Sequence, residues 1–236
     1  MKGKTAETIA LGTFMLVVLS AAWQAQAQDA KVPYSGMATL DRYLITDRNA
    51  EIALARSAAP AAISTDAEVL VLGRHGYETA VKGKNGFVCV VERSWMSPFD
   101  HPEFWNSKLR GPICFNPPAA RSVLPFTLKR TQFVLAGLSK AQMIDGIKAG
   151  VQKKELPRLE AGAMCYMMSS QGYLSDSGGH WVPHLMFYVP QTEGTTWGAD
   201  VPDSPVMLGP QLPEPVTVFM IPVHNWSDGT AATDAH

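Results

Sequence analysis

Strand-like runs and helical patterns do not alternate along this chain, and their order narrows the possible architectures more than any other feature. Three short runs rich in Val, Tyr, Thr and Phe come first, at residues 68–72, 75–81 and 87–92. Two capped helical patterns follow, and then three more strand-like runs at 161–169, 184–189 and 216–223. A doubly wound nucleotide-binding fold needs strict strand–helix alternation, and no G-x-G-x-x-G or G-K-[ST] loop is present. The pattern predicts an α+β domain, mainly an antiparallel sheet with two or three helices packed on one face.

The helix boundaries are written in the capping residues. Asp47 caps a helix over 48–57, with Glu51 in its first turn, an inner face of Ile52, Ala53 and Ala55, and Pro60 as its stop. Asn116 caps a second that begins at Pro117 or Pro118, kinks at Pro125 and ends at Gly137. Ser139 caps a third over 140–153, whose apolar face is Met143, Ile144 and Ile147; the short connection makes the last two helices packed neighbours. Gly73 separates the first two strand-like runs, and Lys84-Asn85-Gly86 turns the chain into the third, which predicts a three-stranded meander. The Pro- and Gly-rich stretch 190–215 reads as a long loop, a type of segment that often binds or covers a ligand.

Residues 1–27 read as a cleavable export signal rather than as part of the fold. Lys2 and Lys4 precede an apolar stretch at 9–22, and Ala25-Gln26-Ala27 supplies a small-x-small cleavage site before Gln28. Glu7 is unusual in such a leader. The stretch is shorter than the roughly 20 apolar residues a membrane span needs. No cysteine follows it and no Arg-Arg pair precedes it, so neither a lipid anchor nor the twin-arginine route is indicated. The expectation is a periplasmic or secreted protein with one domain over 28–226, a disordered tail over 227–236 and no membrane span after cleavage. An oxidising compartment suits a Cys89–Cys114 disulfide; pairing of Cys165 with either partner stays open, and its simplest role is a buried free thiol. Net charge is −1 with the signs interspersed, so no basic surface for nucleic acid is expected.

The stretches Asn85-Gly86-Phe87-Val88-Cys89-Val90-Val91-Glu92-Arg93 and Pro183-His184-Leu185-Met186-Phe187-Tyr188 resemble those of a family of bacterial exported proteins of unknown function. The resemblance implies a bacterial envelope or secreted origin and supplies no activity or catalytic residues.

Two catalytic motifs are present only in part. Asp176-Ser177-Gly178-Gly179 resembles the nucleophile loop of trypsin-like proteases, but Ser175 and His180 stand where that family has Gly and Pro, and helices in mid-chain do not suit a double β-barrel. Arg74-His75-Gly76 resembles the phosphohistidine loop of histidine phosphatases, but Tyr77 and Glu78 follow where a second Arg is expected. A metal site has more material. His180 and His184 with Asp176 or His224 offer imidazole and carboxylate ligands for zinc, although Gly178, Gly179 and Pro183 deny the segment the helix that would align them. His101 with Asp100 and Glu103 forms a second small group, on an aromatic loop. Met164, Met167, Met168 and Met186 read as strand residues of the core. Trp95, Phe99, Trp105 and Trp181 lie in irregular segments, where aromatic rings either complete a core or stack on a ligand. The sequence therefore predicts an envelope protein that binds a small ligand or partner through aromatic loops. The alternative is a zinc hydrolase using His180 and His184.

Overall fold

Helix α1 (Arg48–Arg56) starts where Asp47 accepts hydrogen bonds from the backbone N–H groups of Asn49 and Ala50. A one-turn helix, α2 (Ala61–Ser64), leads into the sheet. Strands β1 (Glu68–Gly73), β2 (Gly76–Val81), β3 (Val88–Glu92) and β4 (Gly111–Phe115) come next. Helices α3 (Pro117–Ser122), α4 (Leu124–Leu135) and α5 (Lys140–Gln152) follow. Strands β5 (Met164–Met167), β6 (His184–Pro190), β7 (Met207–Leu208) and β8 (Val216–Pro222) complete one eight-stranded sheet of order β2-β1-β3-β4-β5-β6-β8-β7. This computed structural model describes residues 34–177 and 181–232.

The sheet is antiparallel except where β1 pairs with β3 in parallel, and this corrects the expected meander. The Asn85-Gly86 turn does not close a hairpin between β2 and β3. Instead the chain passes β1, and β3 pairs on its other side. Burial gives the reason. Val69, Leu70, Val71 and Leu72 of β1 are buried on both faces, whereas Glu78 and Thr79 of β2 are exposed. The apolar strand takes the interior position and the polar one becomes the edge.

Helices cover both faces of the sheet, which corrects the expectation of helices on one face. Ala55, Ala58 and Ala59, in and just after α1, pack on Val69, Val71, Cys89, Val91 and Cys114. Their small side chains let the helix approach closely. Ala119 and Leu124 of α3 and α4 pack on the other face, against Leu70, Val90, Ile113, Phe115, Cys165, Tyr188 and Val218. Pro125 splits the predicted long helix into α3 and α4 at Val123 rather than kinking a continuous one. A capping box between Ser139 and Gln142 opens α5. Met143 and Ile147 of α5 join Phe126 and Val134 of α4 in a second core, which the aromatic loop after β3 completes.

Two buried ion pairs tie elements together. Arg93 binds Glu51 of α1 at 2.8 Å, and Glu51 also accepts the backbone N–H of Leu72. Arg130 of α4 binds Glu214, in the segment between β7 and β8, through two bonds of 2.9 Å. Cys89 and Cys114 face each other across β3 and β4 and form a disulfide. Cys165 projects from the other face, where its Sγ lies 3.4 Å from the Tyr188 hydroxyl, so the sheet itself separates it from that disulfide. Of the predicted tail, residues 227–232 are described. Ser227 donates from its backbone to the Met168 carbonyl and from its hydroxyl to the Ser57 carbonyl, and Ala232 donates to the His224 carbonyl. Among the described residues no helix is long and apolar enough to cross a membrane.

Candidate functional site

Between α4 and the open half of the sheet lies a cavity of about 130 Å³. An apolar cavity of about 150 Å³ holds a molecule the size of benzene. Its floor is Phe115 of β4, Met186 and Tyr188 of β6, and Val216 and Val218 of β8. Val123, Phe126, Thr127 and Arg130 form the helical wall. The 209–216 segment covers it with Pro210, Leu212 and Glu214. This segment leaves β7 through Gly209, where a Cβ would stand 2.9 Å from the Val218 carbonyl oxygen, so only glycine lets the chain cross β8 so closely. A larger open groove of about 640 Å³ lies along the same segment and is lined by Gln191, Thr192, Glu193, Gln211 and Thr217. The two share Pro210, Leu212, Val216 and Val218, which makes the segment the partition between them.

Polar groups enter this apolar chamber at two points. Arg130 and Glu214 form the first. The guanidinium is almost fully buried, stacks 4.5 Å from the Phe99 ring centroid and also donates to the carbonyls of Trp95, Met96 and Ser97. The pair fastens the covering segment to α4. Glu92 is the second. It stands on the same face of β3 as Val88 and Val90, at the last position of an otherwise apolar row. Its Oε1 accepts the Thr127 hydroxyl at 3.0 Å. Its Oε2 takes no hydrogen bond among the described residues, and Glu92 is one of the residues that line the cavity. Burial pushes the Glu92 carboxyl up to about 7; the Thr127 hydrogen bond and the Arg130 charge oppose the rise, and Glu214 adds to it.

The residues expected to hold zinc are dispersed. His180 lies outside the described residues. Asp176 is exposed and already engaged: its carboxylate accepts from the hydroxyls of Tyr34 and Tyr173 and from Lys108 Nζ, and these bonds hold it well below the usual carboxylate range. Its backbone N–H donates to Glu103, which binds Asn106 as well. His224 is exposed just beyond β8. His184 is 2% exposed, meets Trp181 edge-on at 3.8 Å between ring centroids, and bonds the Val182 carbonyl through Nδ1. A carbonyl only accepts, so Nδ1 carries the proton and Nε2 keeps its lone pair, buried and without a hydrogen-bond partner among the described residues. Burial lowers the His184 pKa and keeps the ring neutral. Among the described residues no three His, Cys, Asp or Glu side chains are grouped to hold a metal ion.

The aromatic loop faces inward. Trp95 is fully buried and donates from Nε1 to Thr131 Oγ1 at 3.0 Å; the Phe99 and Phe104 rings pack at 5.2 Å with their planes tilted by 30°, and Trp105 meets Phe104 edge-on. Trp95 and Phe99 are thus core residues, and Trp105 and Trp181 are partly buried at its margins. The loop lines the cavity only through Met96 and otherwise acts on it indirectly, by supplying carbonyls and a ring face that hold Arg130.

Sequence reasoning missed Glu92, Thr127, Arg130 and Glu214 as one site. The available signal was parity and spacing. Glu92 occupies an inward position of β3, and Thr127 and Arg130 fall in the i, i+4, i+7 row of Val123 and Val134. A charged residue in an apolar stripe needs a buried partner. Comparison with family models, with curated proteins and with solved structures finds no match.

Proposed function

We propose that this is an exported binding protein that holds a small, largely apolar ligand in the cavity between α4 and strands β4, β6 and β8. The observation that carries the reading is the combination of apolar walls with one carboxylate oxygen that the protein leaves unpartnered. A chamber that only completed the core would leave no such oxygen open, because an unpaired buried carboxylate costs stability. The covering segment supports the reading too, since a Pro- and Gly-rich stretch over a cavity can open without unpairing a central strand. Export rests on the leader-like residues 1–27 and agrees with the internal disulfide. Binding is favoured over hydrolysis because, of the two carboxylates that line the cavity, Glu214 is paired with Arg130 and Glu92 has no activated nucleophile beside it: the Ser122 hydroxyl is spent on the Pro118 carbonyl, and burial keeps Tyr188 protonated.

The test is a thermal-shift measurement with toluene as the probe. Ligand at a hundredfold excess over its dissociation constant adds about 2.7 kcal/mol. For a domain of this size that raises the melting temperature by roughly 5–10 °C. Val218→Phe places a ring in the cavity and is expected to abolish the shift while the protein stays folded. Equal shifts in both proteins would remove the cavity as the binding site.

A further inference from the structure

The charges around the cavity do not balance within the protein. Two carboxylates, Glu92 and Glu214, and one guanidinium, Arg130, line it. Both guanidinium bonds toward the cavity side go to Glu214, at 2.9 Å each, and the remaining donor is spent on loop carbonyls. Among the described residues Glu92 is therefore left with one hydroxyl, Thr127, and no cation of its own. The other titratable groups that act on it are Tyr188 of β6, Cys165 of β5 and Tyr77 of β2, and burial raises all three so that they stay neutral. No lysine lines the chamber.

We infer that the ligand of this cavity is a small apolar amine, bound as its ammonium against the free oxygen of Glu92; the inference rests on the cavity reading above. An ammonium completes the charge count, and its N–H groups fill the acceptor that Thr127 leaves open. An anionic ligand would instead meet two carboxylates. A purely hydrocarbon ligand would bury the Glu92 oxygen without a partner, at a desolvation cost that ammonium avoids. The volume limits the apolar part to about one ring or a short alkyl chain. The carboxyl, poised at about 7, must be ionised to pair with the ammonium. Binding then strengthens as pH rises through that value.

Calorimetric titration of the purified protein with benzylamine, benzyl alcohol and toluene tests this. Benzylamine is expected to bind at least tenfold tighter than either neutral probe at pH 8. Its affinity should fall about tenfold at pH 6, in proportion to the ionised fraction of Glu92, while toluene binding should not weaken. In Glu92→Gln, which keeps an acceptor for Thr127, the benzylamine advantage over toluene and its pH dependence should both vanish. Toluene or benzyl alcohol binding as tightly as benzylamine in the wild type would overturn the amine assignment and leave the cavity reading standing. So would benzylamine binding with no pH dependence. If none of the three binds, the cavity reading fails and this inference falls with it. The wild-type comparison and pH profile decide the matter even if Glu92→Gln does not fold.

Discussion

Arg130→Met is expected to lower the unfolding free energy by about 3–5 kcal/mol, since it leaves a buried carboxylate without its partner. Glu214 is 7% exposed and pairs with no other cation among the described residues, so its charge would be uncompensated. The carbonyls of Trp95, Met96 and Ser97 would lose a donor at the same time. The melting temperature should fall by roughly 10–15 °C, and the 209–216 segment should become the first region to exchange its amide hydrogens. Arg130→Met with Glu214→Leu removes both charges and should regain part of the loss, but not all of it, because the three loop carbonyls still lack their donor. Chemical denaturation of the three proteins measures this directly. A loss under 1 kcal/mol in the single variant would mean that the pair does not fasten the covering segment.

Removing the Cys89–Cys114 disulfide should cost a similar amount. The bridge closes a loop of 25 residues, and loop-closure entropy alone assigns it about 3.5 kcal/mol. Both cysteines are fully buried beneath α1, so a reductant should act only at the rate at which the helix lifts away. The denaturation midpoint of Cys89→Ala, Cys114→Ala is expected to fall accordingly. Cys165 should resist alkylation in the folded protein and react once it is unfolded, because burial raises its thiol pKa and removes access. Alkylation of Cys165 under native conditions would contradict the placement of its side chain in the core.

Local signals in the chain carried most of the element boundaries. The Asp47, Asn116 and Ser139 caps place α1, α3 and α5, because side-chain oxygens at those positions satisfy backbone N–H groups wherever the helix goes next. Strand order was another matter. Asn85-Gly86 is a good turn in isolation, yet which strand β3 joins is decided by the burial of β1 on both faces, a tertiary preference that the turn does not encode. Strand β4 escaped notice because Pro112 and Gly111 break its pattern, even though Cys114 within it belonged to the predicted disulfide. Helices on both faces follow from the alanines of α1, which look featureless in sequence and become informative only as a close-packing surface. The candidate site was hidden for a related reason. Trp95, Phe99, Trp105 and Trp181 stand out as residue types, but their rings complete the core; the open chemistry belongs to Glu92, which looks like the polar end of a strand until α4 and the 209–216 segment enclose it.

Methyl-resolved NMR of the protein titrated with benzylamine at pH 8 tests the central claim most directly. The signals of Met96, Met186, Val123 and Val218, which line the cavity, should shift together and saturate at one dissociation constant. Those of Met143 and Ile147, buried in the second core away from it, should not move. Shifts confined to the exposed edge residues Met207 and Leu208, or no saturable shift at any methyl, would contradict a ligand site between α4 and the sheet.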